Sequence, residues 1–250
     1  DVVSISSAAR MKGKLKRRWP LNEAQICVKK NQKIKLESLS DLLKSQLNVE
    51  KFNIVETEKE SGLEQLLELK ELGLPVKSTL ELERKKIGPK AKQHMGKLVT
   101  TFSETDPDEI ILSIQKDGKY DFKIDDEIIS LDKEDFIVDF DSKDNFAVAK
   151  REGFVVFIST SRNKEMMAKG LVKDIARRLQ TLRKERGYNP TDVLEVASIL
   201  ELDEESLEMI KGRDEELAFL VRVKKVNFEE SCKEYKDDDI DGQKIKIAVE

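Results

Sequence analysis

The chain has 250 residues, with 46 Lys/Arg, 50 Asp/Glu and a formal net charge of −4. That length allows one large domain or two smaller ones with real cores, and 38% charged residues against 6% aromatics leave much of it as solvated surface. Two cysteines, Cys27 and Cys232, and a single histidine, His94, exclude a zinc cluster and a disulfide framework, and no apolar run approaches the ~18 residues of a membrane-spanning helix. A reducing, cytoplasmic compartment is expected. No secretory leader is recognised, and a chain that starts on Asp1 and enters at once into a helical pattern reads as a piece of a longer protein.

In chain order, residues 4–18 read as the end of a basic helix stopped near Trp19-Pro20, because proline disfavours helix in the residue before it. Residues 24–28 form an apolar strand. Residues 36–47 are helical, with Leu36, Leu39, Leu43 and Leu47 on one side, and residues 51–55 are a second strand, which completes a β-α-β unit. Residues 63–72 form a leucine-rich helix capped by Gly73. Residues 80–88 are extended and basic, and Pro89 starts a helix running to about residue 102. Asp106-Pro107 opens the next helix and Asp117-Gly118 ends it. Strands follow at 120–124, 136–140, 146–150 and 154–159, the last two split by Arg151-Glu152-Gly153, a hairpin signal. A long helix spans about 163–186 and ends at Gly187, with an apolar stripe at Met167, Leu171, Ile175, Leu179 and Leu182. Residues 193–200 are a strand, 204–211 and 214–220 are helical, and 222–228 is a strand. Asp241-Gly242 makes a tight turn between strands at 236–240 and 244–249.

The pattern is an α+β chain, with mixed α/β lobes and a β-α-β unit. The expected division is a helical stub at 1–19, a small α/β lobe at 20–80, a basic connecting segment and helix at 81–103, and a larger α+β domain at 104–250. The segments 24–55 and 154–200 both read as β-α-β-like, which suggests a distant duplication.

Charge is distributed in blocks. Residues 10–35 carry ten Lys/Arg and one acid, residues 104–144 fifteen acids and five bases, and residues 162–186 nine Lys/Arg and three acids. Basic faces on an acidic body suit a polyanion, whereas a solvated face is the plainer reading of any single block. Three basic segments are candidate nucleic-acid contacts, because Lys and Arg neutralise phosphates. The first holds Lys14, Lys16, Arg17 and Arg18 just before Trp19, whose indole either stacks on an unpaired base or wedges between packed elements. The second holds Lys85, Lys86 and Lys90. The third is the long helix, with Arg177, Arg178, Arg183 and Lys184. Arg177 and Arg178 lie about 100° apart around the helix axis and so do not address one phosphate together.

Chemistry is not supported. His94-Met95-Gly96-Lys97 lacks the second histidine and the converging lysine loop that activating phosphates requires. Gly88-Pro89-Lys90 is no phosphate loop, no histidine-based triad can be drawn, and Asp237-Asp238-Asp239 lacks calcium-loop spacing. No catalytic residue, metal site or cofactor is expected in this chain.

The segment from Lys169-Gly170-Leu171 through Arg177-Arg178-Leu179-Gln180 and Arg183-Lys184-Glu185 to Gly187 and Thr191-Asp192 resembles the C-terminal region of isoleucine–tRNA ligases. Further landmarks occur in family order. Residues 8–21 with Arg18-Trp19-Pro20-Leu21 look like the end of that family's helical anticodon-binding domain. Gln46-Leu47-Asn48-Val49-Glu50, Lys86-Ile87-Gly88-Pro89-Lys90 and Asp239-Ile240-Asp241-Gly242 are similar to its later motifs. Lys169 stands where the family prefers Glu, and Lys173 where it prefers Arg. The resemblance is to the archaeal and eukaryote-like branch without a C-terminal zinc module. It implies that the α+β lobes follow the last helix of an anticodon-binding domain, and that the chain binds tRNA for isoleucine at its anticodon arm. It implies a parent enzyme using ATP and Mg, with catalytic and editing domains upstream as partners, and no membrane or DNA partner. The alternative is a structural or protein-interaction module packed on the synthetase body or on partner proteins.

Overall fold

The computed structural model describes residues 2–151 and 153–250. Helix α1 (Val2–Lys12) buries Val2, Ile5, Ala9 and Arg10. It closes at Gly13-Lys14 and not near residue 18, because Lys14 turns left-handed at φ 54° and the Leu15 N–H reaches back to the Arg10 carbonyl. Strand β1 (Leu21–Val28) follows. The helix expected at 36–47 is two helices, α2 (Lys30–Glu37) and α3 (Ser40–Leu47), broken at Ser38-Leu39; α2 buries nothing, whereas α3 buries Leu43 and Leu47. Left-handed Asn48, a residue that tolerates this conformation, ends α3 and leads into β2 (Val49–Glu56). Leu21 N–H donates to the Asn48 carbonyl and Thr57 N–H to the Val28 carbonyl, so β1 and β2 run parallel and the β-α-β expectation holds.

Helix α4 (Gly62–Glu71), with Leu63, Leu66 and Leu69 inward, precedes β3 (Val76–Leu82). The segment 80–88, expected as extended, is strand only to Leu82. Helix α5 (Arg84–Ala91) then contains Pro89 instead of being started by it, and α6 (Met95–Glu104) follows a single 3-10 turn. Helix α7 (Pro107–Asp117) has the expected ends: the Asp106 carboxylate accepts the Asp108 N–H, Pro107 occupies the first turn, and Gly118 turns left-handed at φ 75°. Strands β4 (Lys119–Ile124) and β5 (Glu127–Asp132) form a hairpin, of which the sequence pattern predicts only the first strand. Strands β6 (Phe136–Ser142), β7 (Phe146–Arg151) and β8 (Phe154–Ser159) follow; the hairpin signal between the last two includes Glu152, which lies outside the described residues. Helix α8 (Lys164–Glu185) is capped by the Asn163 side chain accepting from the Met166 N–H. The chain closes with β9 (Leu194–Leu200), α9 (Glu204–Ile210), α10 (Asp214–Val221), β10 (Val223–Asn227), β11 (Lys236–Ile240) and β12 (Gln243–Val249). Asp241 and Gly242, both at positive φ, make the last turn a tight hairpin, as expected.

The sheets have the orders β2-β1-β8-β7 and β10-β9-β12-β11, with the two-stranded pairs β3-β6 and β4-β5. The chain divides into two compact units, the first made of Asp1–Gln25, Leu39–Asn53 and Ile158–Glu250 and the second of Ile26–Ser38 and Ile54–Phe157. The stretch 20–80, expected as one lobe, contributes to both. In the first unit the core is α8 on the β9–β12 sheet, with Val172, Ile175, Leu179 and Leu182 meeting Ala197, Ile199, Ile245 and Ile247. In the second it is Leu66, Leu69, Ile87, Leu98, Ile110, Phe122, Leu131 and Phe157. Cys27, buried there, has its thiol pushed up to about 12, by burial first and then by Glu68, so it is inert.

The expected second β-α-β unit at 154–200 is not one, since β8 and β9 belong to different sheets. The true second crossover is β9-α9-α10-β10, whose outer strands pair in parallel. It repeats the first in detail. In each, an arginine near the end of a preceding helix clamps four carbonyls. Arg10 donates to Lys16 O (2.9 Å), Trp19 O (3.0 Å), Leu47 O (2.6 Å) and Asn48 O (3.3 Å). Arg183 donates to Asn189 O (3.3 Å), Asp192 O (2.7 Å), Arg222 O (2.8 Å) and Val221 O. Left-handed Lys14 and Gly187 follow the two arginines at the same spacing, and left-handed Asn48 and Arg222 end α3 and α10. Each first strand then donates one N–H to that residue's carbonyl, Leu21 to Asn48 and Leu194 to Arg222. The same arrangement thus occurs twice, at a register other than the one expected from strand patterning.

Candidate nucleic-acid interface

The site lies in the first unit, where the turn between α1 and β1 meets α8 and the β11–β12 turn. Its foundation is Asp174, a carboxylate on α8 that is only 4% exposed. A buried charge is retained when paired and hydrogen-bonded, and Asp174 accepts from Lys16 Nζ at 3.1 Å and from the Trp19 indole N–H at 3.0 Å. Lys16 also pairs with Asp241 at 2.5 Å. Trp19 lies flat against α8 at Gly170, where a Cβ would stand 3.0 Å from the indole Cδ1, so the close approach requires glycine. The guanidinium of Arg162 covers the ring at 3.7 Å and the Lys16 ammonium stands 4.9 Å from it. Trp19 is thus half-buried and packed, the wedge of the two roles expected for it.

Beside this foundation is an open cleft of about 540 Å³, lined by Lys16, Arg17, Arg18, Arg177 and Arg178 with Asp174, Asp239 and Asp241. Five cations face three carboxylates there, and the cations are not equivalent. Lys16 is committed to Asp174 and Asp241. Arg178 donates from Nε to the Asp239 carbonyl at 2.8 Å and from Nη1 to the Asp174 carbonyl at 3.1 Å, so it ties α8 to β11. Arg17, Arg18 and Arg177 are exposed and make no side-chain hydrogen bond or ion pair with another described residue. The adjacent pair Arg177 and Arg178 therefore separates as helix geometry requires, one outward and one inward.

The first and third basic segments meet in this cleft. Arg183 does not join them: it is 2% exposed and spent on four carbonyls, because its position faces the α10–β10 junction and not solvent. Lys14 and Lys184 are exposed but do not line the cleft. The second segment is on α5, in the other unit. Lys85 and Lys86 are exposed there, whereas Lys90 pairs with Asp132 and with the buried Asp135. The hydrogen bond to Asp135 raises the Lys90 pKa despite burial, and Lys90 is best described as the counter-ion of that carboxylate. His94 is half-buried beside Asp125 and Glu127. Among the described residues no group of His, Cys, Asp and Glu has metal-binding geometry, and no helix is long and apolar enough to cross a membrane. Sequence reasoning did not single out Gly170, Asp174, Asp241 or Arg162 for the site. Their roles rest on contacts with Lys16 and Trp19 across more than a hundred residues, which leave no local signal.

No family model matches the chain. Curated relatives do. The chain is 25% identical over 253 residues to the isoleucine–tRNA ligase of Methanocella arvoryzae, with 100% of this chain and 22% of the relative covered. It is 26% identical over 252 residues to that of Clostridium novyi, with 100% and 22% covered, and 26% identical over 255 residues to that of Archaeoglobus fulgidus, with 100% and 21% covered. The chain spans about a fifth of the length of these relatives. It is therefore related, over its whole length, to a segment of the isoleucine–tRNA ligases of archaea and bacteria.

Proposed function

We propose that this chain is the C-terminal, tRNA-binding region of an isoleucine–tRNA ligase of the archaeal and eukaryote-like branch, docking the anticodon arm of tRNA for isoleucine while domains elsewhere in the protein carry the ATP-dependent chemistry. The observation that carries the reading is the cleft in which Arg17, Arg18 and Arg177 stand exposed without partners among the described residues. An unpaired guanidinium presents up to five donors in a planar fork suited to phosphate, and displacement of counterions from RNA supplies the affinity. The paired cations around it, Lys16 and Arg178, hold the cleft in shape. The whole-length similarity to isoleucine–tRNA ligases supports tRNA for isoleucine as the RNA.

The test is equilibrium binding of tRNA for isoleucine by the 250-residue chain across a salt series. Arg17→Ala/Arg18→Ala/Arg177→Ala is expected to weaken binding and to flatten the dependence of log K on log salt by roughly 0.7–0.9 for each phosphate no longer neutralised. Equal binding by the triple variant, with the fold intact, would leave the cleft without an RNA role and favour a packing module instead.

A further inference from the structure

Next to the cationic cleft, the same foundation walls a second, smaller one of about 250 Å³. Its cap is the Arg162–Trp19 stack, and its apolar lining comes from Met167, Leu171, Met209 and Ile240. Met167 and Leu171 are the two stripe residues of α8 that are half-buried and not fully enclosed, Leu171 packing against the edge of the core. Arg162 is half-buried yet makes no hydrogen bond or ion pair with another described residue. Stacking occupies the face of a guanidinium and leaves its edge donors free. Pockets for drug-sized ligands run to roughly 300–1,000 Å³, so this one suits a single planar ring system. Asp174 and Asp241 line both clefts, which places the flat pocket beside the phosphate-binding surface.

We propose that the cleft capped by Arg162 and Trp19 takes one unpaired nucleobase of a single-stranded RNA segment whose phosphates lie on Arg17, Arg18 and Arg177. The inference rests on the RNA-binding reading and adds a site to it. With the indole faces taken by α8 and by Arg162, the base is held by the Arg162 guanidinium, since arginine planes recognise unpaired bases, and by thioether side chains, which adapt to irregular flat ligands. Arg162, the first residue of the basic block 162–186 and not among the RNA contacts expected from the sequence, is on this reading a base-contacting residue. A base in a duplex is already stacked and paired and does not enter.

Trp19 is the only tryptophan of the chain and touches Lys16 and Asp174 of the cationic cleft as well, so base occupancy is read as the emission change that the heptamer produces beyond that of the abasic chain. The 250-residue chain is titrated with a mixed-sequence single-stranded RNA heptamer, with a same-length chain that lacks all bases, and with a blunt RNA duplex. Binding is followed by anisotropy of a label on the nucleic acid and occupancy by Trp19 emission. The heptamer is expected to bind on the order of 10-fold tighter than the abasic chain and to change Trp19 emission beyond what the abasic chain does. Arg162→Ala brings the two to parity, while Arg17→Ala/Arg18→Ala weakens both alike. Equal affinity of heptamer and abasic chain for the wild-type protein, with the same Trp19 emission in both complexes, overturns the base site and leaves the phosphate cleft standing. Binding of none of the three overturns the RNA reading itself. The wild-type comparison decides the matter even if Arg162→Ala does not fold.

Discussion

Arg183 shows how an arginine in a basic run is spent on structure. Its side chain is enclosed, and each terminal nitrogen donates to two carbonyls, of which Arg222 O and Asn189 O also accept from the Leu194 and Asp192 N–H groups. Charge-assisted hydrogen bonds of this kind contribute about 1.5–3 kcal/mol each in isolation and do not add fully. Arg183→Met should therefore lower unfolding stability by about 3–5 kcal/mol, read from the urea midpoint, with tRNA affinity of the folded fraction unchanged. Gly170 is the complementary case. A methyl group there meets the indole at 3.0 Å, so Gly170→Ala should cost about 1–3 kcal/mol and shift Trp19 emission to the red as the ring leaves α8. An unshifted spectrum would mean that the indole is not seated on that helix. These two residues belong to the landmarks that carry the resemblance to isoleucine–tRNA ligases, so at those points the resemblance reports on how the unit is held together.

At the scale of elements, the clamp and crossover occur twice, and the copies differ where function would separate them. The turn after Arg10 reads Lys14-Leu15-Lys16-Arg17-Arg18, whereas the turn after Arg183 reads Gly187-Tyr188-Asn189-Pro190-Thr191. Only the first copy is cationic, and it is the one that lines the cleft. The left-handed position exposes the cost: Lys14 adopts φ 54° and Gly187 φ 79°, and a side chain in that region is strained by roughly 1–2 kcal/mol. Lys14→Gly should gain about 0.5–1 kcal/mol, after the extra entropy of an unfolded glycine is counted, and Gly187→Ala, which meets no atom within 4 Å, should lose about 1 kcal/mol. Chemical denaturation of the two variants tests the assignment, and changes of the same sign would contradict it. Elements with strong local punctuation are legible from the residues alone. Helix α7 between Asp106-Pro107 and Gly118, α9 behind Asp203 and the β11–β12 hairpin stand where their caps and turns put them. The end of α1, the break between α2 and α3 and the proline inside α5 are not: α1 closes on a left-handed lysine, a residue that does not announce that conformation, and α2 buries nothing, so no apolar periodicity marks it.

For the molecule as a whole, carboxylate–lysine pairs are spread over the surface. Hydrogen bonds from Lys133, Lys90 and Lys97 lead in holding Glu64, Asp132 and Asp125 below the ordinary carboxylate range. Burial raises Asp108, but the bonds from Lys70 and Ser78 outweigh it. A depressed folded-state pKa means that the native state holds its charge where the unfolded chain has taken up a proton. The stabilisation is therefore present above the unfolded pKa, about 4, and is lost as pH falls through the lower folded values. Because the pairs are exposed, the effect of each is small and screened. Urea midpoints should fall as pH drops from about 5 to about 2, and fall less in roughly 0.5 M salt than at low salt; a fall that salt leaves unchanged would place the acid sensitivity in buried groups instead.

The order of residues along the chain was enough to establish the α+β class, most strands, the capped helices and the relationship to isoleucine–tRNA ligases. Each of these rests on local periodicity, on turn and cap chemistry, or on motifs met in order. What needed the folded chain is which charges are free. Arg177, Arg178 and Arg183 are the same residue type within seven positions, yet one is open to solvent, one ties α8 to β11 and one is enclosed. Helix rotation sets their directions, but the carbonyls and carboxylates that consume or spare each guanidinium arrive from segments far away in sequence, and charge composition carries no record of that pairing.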